Sequence, residues 1–413
     1  MKSFNRHRVS FEISRLQKMP LLTLSQKITA KLIGIALWGL FSPITFIFHM
    51  AGYRRVDLFL DRIGHLAIEP DCLLKEQMLG LIPNHKWVLL APAHRVANKH
   101  LLSYWESYFL VFRNPLVCFF IQSTARWWLC FHSTKHYMRA IGSTQAAYRI
   151  FCDWGDRPPI IQLSEQDIRW GNQQLSAMGL PEGAWFVCLH VREGGFSPVD
   201  ESLHQHRNAD LERTYLAVNE IVRRGGWVIR LGDPSMTRMR AMPCTIDYAH
   251  HPLRSARLDI FLCAQSNFIL GNTSGIALVG TVFGVPSALA NMVPITAMGF
   301  GARDISIPKL YKSIENNSYM GVTHIIQQGL GSAQYYSQYV EAGVAVEENS
   351  AEDILDLTKE MFESLSENIQ NDLHRSTIQS RFTGIFCDGD YAFGTPSKAG
   401  ARFLLKHQTS LRI

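Results

Sequence analysis

From Trp185 to Ala290 one pattern recurs: a short apolar, β-prone run, an abrupt stop at glycine or polar residues, then a helical stretch. The runs are Trp185-Phe-Val-Cys-Leu-His190, Trp227-Val-Ile-Arg-Leu231, Asn267-Phe-Ile-Leu-Gly271 and Pro286-Ser-Ala-Leu-Ala290, with helical stretches at 211–224, 258–264 and 274–283. Runs this apolar have no polar face to turn to water. They predict a parallel sheet covered by helices on both faces, an α/β fold. The loops that follow the strands then gather along one sheet edge, where open α/β sheets bind ligands.

The first half is less regular. Runs at 56–60, 87–91 and 116–122 predict strands, with helices over 72–79, 101–112, 133–149 and 164–179. Proline and glycine cluster between 150 and 183, which makes that stretch the natural junction of two domains. Further helices are expected over 351–373 and 398–407. The domain boundaries expected are 1–55, 56–165, 166–350 and 351–413.

The charge is concentrated at one end. Lys2, Arg6, Arg8, Arg15, Lys18, Lys27 and Lys31 against Glu12 account for the whole net charge of +6, so the rest of the chain is formally neutral. That distribution argues against a nucleic-acid-binding surface and describes a basic tail. An apolar run follows over 32–52, flanked by Lys27 and Lys31 before and Arg54 and Arg55 after, with Ser42-Pro43 in its middle. It reads as a helix or broken hairpin dipping into the cytoplasmic leaflet, the basic residues on anionic head groups; a buried core helix and a full span are the other readings. The localisation expected is the cytoplasmic face of the inner membrane, peripheral or monotopic. The eight cysteines are scattered without metal-ligand spacing, which fits reduced thiols and supports neither a disulfide framework nor a metal site.

Two strand ends hold chemistry. His190-Val-Arg192-Glu193 offers an imidazole, a guanidinium suited to bidentate phosphate binding and a carboxylate that either holds Arg192 or meets a sugar hydroxyl. An ordinary surface Arg–Glu pair is the other reading. Gly271-Asn272-Thr273-Ser274-Gly275 supplies hydroxyls, close backbone approach and the start of a helix, or else a routine helix cap. Between them Arg230, Gly232 and Asp233 end a strand, and Asp247-Tyr248 follows; Asp233 is either a ribose contact or a turn residue, and Tyr248 either stacks on a base or sits in the core. Arg207 and Asp210 line the site or cap the next helix. In the first half Gly64-His65 occupies a strand–loop–helix turn, His65 being suited to general-base work or to a structural role.

These pieces resemble a bacterial family of glycosyltransferases from surface-polysaccharide gene clusters. The similarity lies in Arg62-Ile-Gly-His-Leu66, Ala184-Trp-Phe-Val-Cys-Leu-His-Val-Arg-Glu193, Trp227-Val-Ile-Arg-Leu-Gly-Asp233, Ile246-Asp-Tyr-Ala249, Gly271-Asn-Thr-Ser-Gly275 and Ile307-Pro-Lys-Leu310. The His-x-Arg loop is also similar to that of nucleotide-sugar fucosyltransferases, where the arginine matching Arg192 contacts the donor diphosphate. Here Glu193-Gly194-Gly195 replaces their common Arg-Gly-Asp continuation, so the fucosyl donor does not carry over. The resemblance implies two Rossmann-like domains facing across a cleft, the GT-B arrangement. It implies a nucleotide-sugar donor on His190, Arg192, Arg230, Gly232, Asp233, Asp247, Tyr248, Asn272, Thr273, Ser274 and Gly275. A glycan or lipid-linked acceptor would lie by Gly64 and His65, with His65, Arg192 and Glu193 catalytic and no cofactor or metal required. The rival functions are a nucleotide-sugar epimerase or hydrolase and a non-catalytic membrane-anchored assembly protein. An NAD enzyme is disfavoured because no G-x-G-x-x-G follows a strand.

Overall fold

The computed structural model describes residues 21–124, 141–194, 198–366 and 373–413. The basic residues of the first twenty positions, the start of the expected 133–149 helix and Gly195 lie outside them. The chain is mixed α/β with parallel sheets. It separates into two compact units, one comprising Met1–Asp57, His85–Arg95 and Glu106–Thr134, the other Leu58–Asn84, Val96–Trp105 and Lys135–Ile413. This division differs from the expected linear boundaries, because the chain enters and leaves the larger unit repeatedly.

In the smaller unit, β1 (Tyr53–Val56), β2 (Lys86–Leu90) and β3 (Phe109–Phe112) form a parallel sheet in the order β1-β2-β3. The run at 116–122 is helical, not a strand, within Pro115–Thr124. The cause is local: Asn114 Oδ1 accepts the amides of Leu116 (2.9 Å) and Val117 (3.3 Å), and Pro115 takes the first helical position, where its missing N–H costs nothing. The expected 101–112 helix accordingly divides into a helix at Lys99–Trp105 and strand β3. Strand β1 ends where 56–60 had been expected to begin.

The helix Leu21–Met50 is continuous through Pro43, so of the two expected forms it is the helix and not the broken hairpin. It packs beside Pro115–Thr124, with Phe41 and Phe120 edge to face at 5.9 Å. Both helices leave large apolar side chains in solvent, Leu40 at 70% exposure and Leu116 at 69% among them. Among the described residues no helix is long and apolar enough to cross a membrane. Arg55, expected on head groups, is instead buried, its guanidinium on Asp57 (3.0 Å) and the Gln122 carbonyl (3.4 Å).

In the larger unit β4 (Phe186–Leu189), β5 (Trp227–Arg230), β6 (Thr245–Ile246), β7 (Ile269–Gly271), β8 (Ser287–Met292) and β9 (Ile305–Pro308) are parallel strands. An antiparallel pair, β10 (Leu310–Ser313) and β11 (Val344–Glu347), stands apart. The short β12 (Lys398–Ala399) completes a seven-stranded sheet in the order β12-β9-β8-β7-β4-β5-β6. β4, β7 and β8 are buried throughout, as strands covered on both faces must be. The expected 398–407 helix begins only at Ala401, after β12, and the expected 351–373 helix ends at Leu365.

The helix Ile63–Met78 belongs to this unit and contains Pro70. A proline cannot donate to the carbonyl four residues back, here that of Leu66. The Trp105 indole Nε1 donates to that oxygen at 2.9 Å, and both residues are fully buried. An interior proline is thus accommodated without an orphaned acceptor.

Candidate active site at the strand ends

The order β6-β5-β4-β7-β8-β9 reverses direction between β4 and β7, so the chain leaves these two neighbours toward opposite ends of the sheet. Such a reversal opens a crevice beyond the carboxyl ends of the two strands. His190–Glu193 continues β4 and Asn272–Gly275 continues β7. Two segments eighty residues apart in sequence therefore meet at the topological switch point.

They are joined through specific bonds. The His190 amide donates to Leu270 O at 2.9 Å, and the Arg192 amide to Asn272 Oδ1 at 3.0 Å. His190 is 7% exposed; its Nδ1 lies 3.2 Å from Leu231 O and its Nε2 2.9 Å from Ser274 Oγ. A carbonyl can only accept, so Nδ1 carries the proton and Nε2 accepts the Ser274 hydroxyl. Burial lowers the His190 pKa to about 4, the carbonyl of Leu231 opposing and the charges of Arg230 and Arg192 reinforcing. The ring is neutral at ordinary pH and fixes the serine hydroxyl in place. The helix expected from Ser274 begins at Ala277, and Ser274 is not its cap.

Arg192 Nη1 donates to His204 O at 3.1 Å and to Asn208 Oδ1. Asn208 in turn donates to Glu201 Oε1 at 2.6 Å. Arg207 Nη2 and Nε donate to Thr273 O at 2.7 and 3.2 Å, and Asn272 Nδ2 donates to Arg207 O at 3.1 Å. Arg207 is thus bonded to the turn after β7, whereas Asp210 accepts the Glu212 amide at 2.9 Å as a cap. Thr273 Oγ1 takes the Val293 amide at 3.2 Å.

Several expected donor contacts are committed elsewhere. Arg230 is 0% exposed, and its guanidinium is held by Glu193 (3.1 Å) and Asp247 (3.4 Å). Glu193 therefore holds Arg230, not Arg192, and its second oxygen accepts the Thr237 amide at 2.7 Å. Asp247 also accepts from Met239 N (3.1 Å) and pairs with His250 (2.8 Å). Tyr248 is buried, its hydroxyl donating to Asp259 at 2.8 Å, so it is a core aromatic and offers no face to a base. Asp233 accepts the Ser235 amide at 3.0 Å and is a turn residue, and a Cβ on Gly232 would lie 2.6 Å from Met236 Sδ. Arg230, Asp247 and Tyr248 are corrected from donor contacts to framework. A strand-end arginine looks the same in sequence whether it points to solvent or is swallowed by two carboxylates.

The first-half motif arrives at the same place. A Cβ on Gly64 would lie 2.7 Å from Gly275 Cα, and one on Gly275 3.0 Å from Gly64 N, so the two backbones touch where only glycine fits. His65 follows at once. Its Nδ1 is 2.9 Å from Glu69 Oε1, four residues on along the same helix face, and its side chain is 22% exposed. Glu69 is fully buried and its other oxygen accepts the Phe59 amide at 3.0 Å. A carboxylate can only accept, so Glu69 takes the Nδ1 proton's hydrogen bond and orients the imidazole. Glu69 was missed in sequence, although His and Glu at positions i and i+4 on a helix were a readable signal.

No family model matches this chain, and no curated protein does. Among solved structures it is similar to a glycosyl transferase family 9 protein from Veillonella parvula DSM 2008, at 15% identity over 73% of this chain and 79% of that one, with a TM-score of 0.35. It is also similar to TibC, an iron-containing dodecameric glycosyltransferase from enterotoxigenic E. coli H10407, at 12% identity over 57% of this chain and 55% of that one, with a TM-score of 0.32. Similarities this distant assign neither activity nor substrate.

Proposed function

We propose that the protein is a glycosyltransferase that moves a sugar from a nucleotide-sugar donor to a hydroxyl of a glycan or lipid-linked acceptor in surface-polysaccharide synthesis. The observation that carries this reading is the backbone contact of Gly64 with Gly275, which sets the His65–Glu69 pair against the turn at the switch point. In the proposed reaction the acceptor oxygen bonds to the anomeric carbon while the bond from that carbon to the diphosphate breaks. His65 Nε2 takes the acceptor proton. The departing diphosphate is stabilised by Arg192 and by donors of the Asn272–Gly275 turn, with Ser274 held by His190. Charge stabilisation of that kind needs no metal. The GT-B arrangement and the cytoplasmic face of the inner membrane belong to the same proposal. In support of a membrane surface, the helices Leu21–Met50 and Pro115–Thr124 expose apolar side chains side by side.

The test is a nucleotide-sugar screen by thermal shift on the full chain, followed by transfer assays with the stabilising donor. Arg192→Ala should lower kcat/KM by about 10²–10³-fold, the scale of losing one transition-state donor. Undiminished transfer by that variant defeats the assignment. Turnover of the donor with no acceptor present would replace transfer by epimerisation or hydrolysis.

A further inference from the structure

Beside the two strand-end loops lie a buried imidazole and a buried lysine. His206 is 4% exposed, and among the described residues neither ring nitrogen has a hydrogen-bond partner. Lys309, in the Ile307-Pro-Lys-Leu310 motif, is 3% exposed, and its ammonium donates to Asn208 O at 2.6 Å. That same Asn208 accepts Arg192 through its side chain. Burial lowers the Lys309 pKa to about 8, with Glu348 opposing and Arg213 and Arg192 reinforcing. Burial lowers that of His206 to about 3, reinforced by the charges of Arg207, His204, Lys309 and Arg192. An unpartnered imidazole and a lysine with one carbonyl, packed among arginines, are costly to bury. The cost falls if an anion completes the cluster.

We infer that Arg192, Arg207, Lys309 and His206 form a binding site for a phosphate-class dianion. Arg192 and Arg207 are partly exposed, whereas Lys309 and His206 are buried, so an anion would reach the arginines from solvent. The aromatic rings of Tyr336 and Tyr339 pack against His206, with ring centroids 6.4 and 4.9 Å away, and limit the movement of the imidazole. On the reading in the preceding subsection, on which this identification rests, the dianion is the diphosphate of the donor, and these residues add to Arg192 in holding it. The site's existence needs only the anion.

Inorganic pyrophosphate is the probe, followed on the full chain by calorimetry and thermal shift, with orthophosphate alongside. Wild type should bind pyrophosphate and gain several degrees in Tm. Lys309→Met and His206→Phe should each weaken binding at least about tenfold, the scale for an interaction with a charged group. Lys309→Met should also raise or preserve the Tm of the ligand-free chain, a result that misfolding cannot imitate. Absence of pyrophosphate binding by wild type, or wild-type affinity in both variants, overturns the site. If pyrophosphate binds as expected but no nucleotide sugar is turned over, the glycosyltransferase reading fails and the anion site stands. If transfer proceeds and both variants match wild type, the reverse holds.

Discussion

Two histidines show how one side chain serves two ends. His190, at the end of β4, is buried, bonded through Nδ1 to a backbone carbonyl and through Nε2 to Ser274, and held neutral. His65, at the start of the helix Ile63–Met78, is partly exposed, with Nδ1 against a buried carboxylate. A carbonyl partner and a dry environment make an imidazole a fixed acceptor that positions a hydroxyl. A carboxylate partner fixes the orientation of a ring that still meets solvent, the arrangement the proposed general base requires. The first holds a hydroxyl in place, and the second is the residue proposed to move a proton.

The largest effect expected of this contrast lies in turnover. His65→Ala should reduce kcat by about 10²–10⁴-fold, the contribution of a positioned general base, and Glu69→Gln should reduce it by less. Both should leave the affinity for pyrophosphate unchanged by calorimetry. Equal losses of kcat from Glu69→Gln and from a substitution on the far side of the helix would break the comparison.

On the other side of the contrast, the framework around His190 should answer in stability. Arg230→Ala leaves Glu193 and Asp247 without their shared cation and should cost about 3–5 kcal/mol in urea unfolding, as loss of one partner of a buried ion pair does. A loss below about 1 kcal/mol, the scale of a surface pair, would show that Arg230 is not the hub its burial implies.

Acid should sharpen the contrast further. His190 has a folded pKa of about 4 against 6.5 for a free imidazole, so between these values the unfolded chain binds more protons. Stability from its neutral form is complete above pH 6.5 and is lost as pH falls toward 4, by about 3 kcal/mol at most. His206, lowered to about 3, acts in the same direction. His190→Gln should flatten the pH dependence of the urea midpoint in this window.

The smallest effect tests the contact between the two histidine neighbourhoods. Gly64→Ala forces a methyl to within 2.7 Å of the Gly275 backbone, which must shift. About 1–3 kcal/mol of stability should be lost, the usual cost of overpacking, together with turnover. An unchanged Tm would show that the backbones yield freely.

Much of the larger unit was legible because its strands are buried on both faces, and a run such as Phe186-Val-Cys-Leu189 admits no other reading. The smaller unit was not. Leu116–Gln122 is as apolar as a strand, and only Asn114-Pro115 before it marks a helix start. Pairing partners were also hidden: β6 and β12 have two residues each, too short to register as runs, and depend on neighbours for their bonds. At the site, residue types showed where charge would gather but not what it would face. Arg230 is the last residue of β5 and Arg192 lies three residues past β4, and only the fold shows the first enclosed by two carboxylates and the second partly exposed. Asn208 carries no motif of its own and gains its role from Arg192, distant in sequence, while Lys309 lies in the Ile307-Pro-Lys-Leu310 motif, which gave no sign of its partner.

The repeated passage of the chain between its two units bears on how the protein can be taken apart. Residues 85–95 and 106–134 interrupt the larger unit in the manner of insertions, and the helix holding His65 and Glu69 lies ahead of both. Cutting before Lys135 would leave the whole seven-stranded sheet and its strand-end loops in one fragment while removing the proposed base, Gly64 and Trp105. Such a fragment would be a natural test of modularity: it should retain the anion cluster's residues yet lack the helix that covers Gly275, leaving that turn bare to solvent and the transfer chemistry without its proton acceptor.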